Sequence, residues 1–226
     1  MLLCSGLGFA QFSDEELYTA YLVADMSVWD RYLRTTEWDD ISLLERTRYI
    51  NYEYGYIATA IDTKQPDAQE QNERFKSHID AMQSVLPQAT ILTYLSSYAA
   101  YRAKLSAFEF LKQGLRAKTL AQQAVEADGD NPLALTLLGC VDFYAPSIVG
   151  GNKNRALANF EHAKEVFIAQ GDTILNWNYA SLQMQLAMCL DKTGHRQEAI
   201  ELCQSLLAKD SNFLYIRDTY LPTLLK

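Results

Sequence analysis

Proline is scarce in this chain. Five occur in 226 residues, at positions 66, 87, 132, 146 and 222, and each falls between apolar-periodic segments rather than inside one. A missing N–H and a fixed φ make proline a helix breaker, so long helices are free to run between these separators. Hairpin signals are equally thin: the Asp128-Gly129 pair lies between two helical patterns, and no Asn-Gly or Asp-Gly joins alternating runs. A sheet built from tight hairpins is therefore excluded. After residue 10 no stretch approaches the roughly 18 apolar residues that a membrane-spanning helix needs. Positive charge is in deficit too, 20 Lys and Arg against 28 Asp and Glu for a net charge of −8. Such a field repels phosphate backbones and argues against nucleic acid as a partner.

The chemistry of catalysis is missing as well. No GxSxG, HExxH, GxxxxGK[ST] or post-strand GxGxxG occurs, so the chain reads as non-enzymatic and no cofactor is expected. Gly150-Gly151-Asn152-Lys153 lacks the spacing and the following Ser or Thr of a phosphate loop and reads as a turn. Asp128-Gly129-Asp130-Asn131 begins like a calcium loop, but Pro132 takes the fifth position, which leaves an acidic turn between helices. His78, His162 and His195 lie in separate segments without an i, i+4 partner. They read as surface histidines, and no metal site is expected. Cys4, Cys140, Cys189 and Cys203 form no CxxC and no Cys/His cluster. The last three lie on apolar faces of predicted helices and read as buried free thiols, with a Cys189–Cys203 bridge left open for an oxidising compartment.

What the chain does have is an ordinary globular balance, 49% apolar and 21% charged residues, at a length that favours one domain or one repeat array. Residues 1–10 are apolar or small and uncharged; Gly8 and Ala10 occupy the −3 and −1 positions of a cleavage site that would leave Gln11 first. This reads as the remnant of a signal peptide and implies export, with residues 11–226 as the mature domain. Leu3 before Cys4 is not the small residue that a lipoprotein cysteine requires. Downstream, apolar residues recur at three and four spacing over Asp14 to Leu33, Ile41 to Ile61, Ala68 to Leu86 and Ile91 to Leu111, which predicts helices throughout. Ser13 followed by Asp14, Glu15 and Glu16 is a capped, acidic first turn.

Aligned as four antiparallel pairs, these helices carry small residues at fixed places. Gln183 to Ser211 resembles a tetratricopeptide (TPR) repeat, with Leu186-Ala187 at its Leu-Gly positions, Gly194 at its turn and Ala199 at its small second-helix position. Leu138-Gly139 with Ala156, Phe160 and Ala163 resembles another, carrying a five-residue insertion within Ala145 to Arg155. Ala117, Ala121 and Ala124, and Gly55 with Ala68, mark two more divergent units; the anchors Ala68, Ala117, Ala156 and Ala199 are spaced by 49, 39 and 43 residues, wider than the repeat of about 34. The least divergent repeats span about residues 132–169 and 175–211. The inserted loop and the ending Phe213 to Asp218 with Leu221-Pro222 look like exported bacterial TPR proteins, among them relatives of the TPR subunit associated with periplasmic TRAP transporters. The resemblance implies an all-α, right-handed α-α superhelix of about four TPR-like pairs plus an N-terminal helix, in the periplasm or cell envelope.

Aromatic residues are plentiful, 3 Trp, 14 Tyr and 9 Phe, and many tyrosines fall in the first helices of the pairs. First helices of a TPR array line its concave face. Counting from Gly55 places Tyr49, Tyr52 and Tyr56 on that face, and counting from Ala100 adds Tyr94, Ser97, Tyr101 and Lys104, with Met184 and Met188 from the last pair. Amphipathic rings and adaptable thioethers suit a peptide or a small amphiphile. The leading expectation is a scaffold that holds a protein or peptide partner in this groove. The alternative is a periplasmic solute-transport accessory subunit that binds a small apolar or amphiphilic ligand. A homo-oligomer is compatible with either.

Overall fold

A computed structural model of the protein describes residues 12–226; the signal-peptide reading of residues 1–10, including Cys4, lies outside the described residues. Among the described residues there is no strand. The helices are α1 (Asp14–Leu22), α2 (Ser27–Thr35), α3 (Leu43–Asp62), α4 (Ala68–Ala81), α5 (Gln88–Leu105), α6 (Phe110–Ala127), α7 (Pro132–Tyr144), α8 (Lys153–Ala169), α9 (Trp177–Lys192), α10 (Arg196–Lys209) and α11 (Leu221–Leu224), the last preceded by a π-helical turn over Tyr215–Tyr220. The all-helical expectation is met.

Local chemistry sets the helix ends. Ser13 Oγ accepts from the Glu16 N–H, Ser42 and Glu45 form a reciprocal capping box, and Asn131, Asn152 and Asn176 each accept from first-turn amides. Pro87 precedes α5, Pro132 opens α7 and Pro222 opens α11, positions where no helical N–H is needed. Two predicted helices are each divided. The segment Asp14 to Leu33 breaks at Ala24, whose φ of 56° is left-handed, and doubles back so that Trp29 Nε1 donates to the Leu17 carbonyl at 2.8 Å. The segment Ile91 to Leu111 breaks at Ser106, which is extended, so that α5 and α6 become a hairpin. In both, apolar spacing runs through a tight turn that periodicity does not register.

Packing follows the expected pairs. α3 lies on α4, α5 on α6, α7 on α8 and α9 on α10; each second helix meets the next first helix, and α3, α5, α7 and α9 touch in succession. Ala68, Ala117, Ala156 and Ala199 are all buried, as close helix approach demands. At Gly139 an added Cβ would stand 2.5 Å from the Phe160 ring. In the α5–α6 pair the small contact differs from the expected Ala100: Ser96 and Ala99 are the fully buried positions, and Ser96 Oγ donates to the Ala117 carbonyl at 2.7 Å. α2 packs on α3, and the two ends of the array meet. Tyr18 Oη donates to Asp210 at 2.9 Å, and the Trp29 and Trp177 rings stand 5.1 Å apart.

Close approach at Gly139 yields a signed prediction. Gly139→Ala forces the Phe160 ring aside and should cost about 1–3 kcal/mol, lowering the thermal midpoint by roughly 3–10 °C. Gly114 on exposed α6 has open space around its Cβ position, so Gly114→Ala should raise the midpoint through helix propensity. Circular dichroism melts of both variants read the two signs. A Gly139→Ala protein as stable as the native chain would show that this approach does not hold the pair.

Candidate functional site

The first helices converge at their N-terminal ends. Between the starts of α3, α5, α7 and α9 lies a cleft of about 1060 Å³, with Trp177, Tyr52, Tyr94 and Leu133 among its apolar lining and Arg48, Asn51 and Asn178 among its polar lining. Asn178 Nδ2 donates to Asn51 Oδ1 at 3.1 Å and ties α9 to α3. Arg48 sits at the rim: its Nε is 2.8 Å from Asp14, its Nη2 donates to the Phe12 carbonyl at 2.7 Å, and its guanidinium lies over the Tyr32 and Tyr52 rings. Leu44 and Ile174, both strongly exposed, extend the apolar surface outward.

Trp177 makes the floor. Only 6% exposed, it packs against Trp29, Tyr21, Tyr52 and Tyr54 at ring separations of 5.1 to 6.4 Å. Its approach depends on Gly55, where a Cβ would come 2.6 Å from the Trp177 ring and 2.8 Å from Trp29. Its indole Nε1 is buried and has no hydrogen-bond partner among the described residues. An unmade bond of that kind costs about 1–3 kcal/mol and calls for an explanation in a native fold.

The sequence-predicted residues divide. Tyr52 and Tyr94 line the cleft. Tyr101 lies on the same side of α5, donating to the Tyr54 carbonyl at 2.8 Å, and Ser97 is buried and donates to the Thr93 carbonyl at 3.1 Å. Tyr49 and Tyr56 depart from the expected groove: Tyr49 is buried and donates to the Leu33 carbonyl, and Tyr56 donates to Asp30 while Gln65 donates to its oxygen. The physical reason is α2, which occupies that face of α3, so the cleft receives Arg48, Asn51 and Tyr52 instead. Lys104 is exposed at the opposite end of α5, paired with Asp62 at 3.1 Å. Met184 and Met188 are part-buried against the core. Trp177, Arg48 and Asn178 line the cleft without having been among the predicted residues. The capping pattern Asn176-Trp177-Asn178, an aromatic at the first turn of a first helix, was the available signal.

The remaining candidates for chemistry are structural. His78 is not a surface histidine: it is buried, stacks 3.9 Å from Trp38 and shares a proton-mediated contact of 2.8 Å with Glu53, which Arg74 also meets. The drive to bury Trp38 and Phe75 carries it inward, and the Glu53 carboxylate satisfies it. His162 and His195 are exposed and pair with Asp130 and Glu198. Among the described residues no three His, Cys, Asp or Glu side chains cluster as metal ligands. Cys140, Cys189 and Cys203 are free thiols, and burial pushes Cys140 up to about 12 and Cys189 and Cys203 to about 11. Thiols so raised are poor nucleophiles. Desolvation likewise raises the phenols, Tyr21 and Tyr52 each to about 12 and Tyr54 and Tyr94 further.

No known family model matches the sequence, and no curated protein matches it. A solved structure does. The HusA haemophore from Porphyromonas gingivalis superposes with a TM-score of 0.56 at 20% identity, over 80% of this chain and 87% of the haemophore. The likeness is one of fold: the helical architecture described above is shared with a haemophore.

The raised phenols fix an alkaline limit. Unfolded tyrosine ionises near pH 10, whereas Tyr21 and Tyr52 hold their protons to about 12. Between those values the native state binds more protons than the unfolded chain, so stability is full below pH 10 and falls as pH rises through 12. Each such phenol contributes on the order of 1–3 kcal/mol to that loss. Ultraviolet difference titration should show these phenols ionising together with loss of helical signal. A smooth titration near pH 10 with the helices intact would contradict this burial.

Proposed function

We propose that this chain is a non-enzymatic, exported binding protein that receives a compact, largely apolar ligand bearing an acidic group, with haem and related tetrapyrroles the leading class, in the cleft at the N-terminal ends of α3, α5, α7 and α9. In this reading the four pairs form a right-handed TPR-like superhelix, and the cleft is part of its concave face. The observation that carries the proposal is the Trp177 floor, an aromatic surface whose buried N–H meets no partner among the described residues. Size is compatible with it, since about 1060 Å³ lies just above the range of about 300–1,000 Å³ for small-molecule sites. Fold supports it through the likeness to a haemophore. The contact between the array's two ends favours a compact ligand over the extended peptide that an open trough would take.

The roles follow from chemistry. Trp177, Tyr52 and Tyr94 offer faces for a flat ring. Arg48 exchanges its exposed partner Asp14 for a ligand carboxylate, a charge-assisted contact. Among the described residues the cleft lining includes no His, Cys or Met, and the raised Tyr52 phenol resists becoming a phenolate ligand. Retention of the ligand therefore rests on its ring and acidic groups rather than on iron.

Titration with haemin and with metal-free protoporphyrin, followed by tryptophan quenching and by the porphyrin absorbance band, tests this. Both should bind with similar strength, and Arg48→Gln should weaken each by about ten-fold, the loss of one charge-assisted bond. Absence of any spectral change with either compound, or an Arg48→Gln protein that binds as tightly as the native chain, would remove the reading.

A further inference from the structure

α6 is built the wrong way round for a helix serving only the core. Its buried positions are Gln113, Ala117, Ala121 and Ala124, while its large apolar residues Phe110, Leu111 and Leu115 are exposed. Phe108, in the turn that leads into it, is 103% exposed. That turn follows the C-terminal end of α5, and the loop after α7 reaches the same end of the stack, where Lys118 Nζ donates to the Gly150 carbonyl at 3.0 Å. This loop carries Ile148, 92% exposed. Large apolar side chains gathered at one tip mark an interaction surface rather than random exposure.

Charge says what the surface fits. Residues 102–118 hold five cations and one acid, Glu109, within a chain of net charge −8; Arg102 pairs with Glu109 and Lys104 with Asp62, so the charge beside the apolar tip comes chiefly from Lys112 and Arg116. Lys112 and Arg116 are exposed and one helical turn apart, each next in sequence to Leu111 and Leu115 respectively. Leucine and phenylalanine flanked by cations match the boundary of an anionic bilayer, where the rings and branched chains enter the headgroup region and the cations meet lipid phosphates. We propose that the α5–α6 tip, with the Ile148 loop beside it, docks this protein on the surface of a membrane containing anionic lipid.

The geometry gives such docking a direction. Thr90 and Tyr94 of the cleft lie near the start of α5 and Phe108 lies just beyond its end at Leu105; from Thr90 to Leu105 the helix axis alone spans about 22 Å at 1.5 Å per residue. A chain resting on this tip holds its cleft away from the lipid and open to water. No described helix is long and apolar enough to cross a membrane, so attachment by this tip is peripheral and salt-sensitive.

Co-sedimentation of the whole purified chain with vesicles of phosphatidylcholine, alone or mixed with phosphatidylglycerol, tests the proposal. Binding to the mixed vesicles should exceed binding to phosphatidylcholine by about ten-fold and weaken with added salt. Two variants read the two contributions: Phe108→Ser/Leu111→Ser/Leu115→Ser removes the apolar tip, and Lys112→Glu/Arg116→Glu reverses the flanking charge. Each should lose binding to the mixed vesicles while keeping the native thermal midpoint. Should the apolar variant fail to fold, the charge-reversed one decides alone. Equal sedimentation of the native chain with both vesicle types or with neither, or undiminished binding by a folded variant, overturns the proposal. So does a dimer in analytical ultracentrifugation that the same variants dissolve without any vesicle binding, which would assign the tip to a second copy of the chain.

Discussion

At position 55 the backbone of α3 has no side chain, and two indoles close onto it from different parts of the chain. Trp29 arrives from α2 and Trp177 from the start of α9, and neither position tolerates a Cβ between them. The first and last portions of the array are thereby brought into one aromatic cluster, which also holds Tyr21, Tyr52, Tyr54 and Phe213 through ring contacts. Pairs of this kind each add about 0.5–1.5 kcal/mol beyond the area they bury. A stack of helix pairs is otherwise held only by neighbours, so its ends would remain apart. Contact between Trp177 and α3 is what turns the row of first helices into the wall of a cleft.

The same closure explains the polarity of the site. α3, α5, α7 and α9 all begin at the cleft, and three of them begin with a side-chain cap, Ser42, Asn131 and Asn176. Their unsatisfied amides and partial positive charges point toward it. Asp14 and Glu45 at the rim temper this field, and Arg48 restores it. Aromatic floor and cationic rim together suit an apolar molecule with one acidic edge, and the buried phenols cannot compete with that edge because desolvation keeps them protonated.

Much of this was legible from residue spacing. Ala68, Ala117, Ala156 and Ala199 are buried as close helix contacts require, and the prolines and asparagines stand at helix starts. What spacing could not decide was which of two buried faces of α3 turns inward. A helix packed on both sides has apolar residues around most of its circumference, so Tyr49, Tyr52 and Tyr56 fit the rule equally well against α2 or in a groove. Only the doubling back of the chain at Ala24 places α2 on that face, and a left-handed alanine leaves no mark in apolar periodicity. His78 was missed for a related reason. Its partner Glu53 lies 25 residues away, and a polar pair that is satisfied only across two helices has no local signature.

The two ends of the first helices are under different constraints. At the cleft end, caps, the Asn51–Asn178 bond and the Trp177 contact fix the backbone within narrow limits. At the other end the loops are held by a few ties. The insertion after α7 is one: Arg155 grips the buried Asp142 through two hydrogen bonds and donates to the Gly150 carbonyl at 2.8 Å, so the extra residues are absorbed without moving α8 from α7. Gly139 and Phe160 set the spacing of that pair in mid-helix, between the loop and the cleft. Exposed apolar residues such as Phe108 and Ile148 lie at the loop end, whereas the cleft end is the one braced by caps and ring contacts.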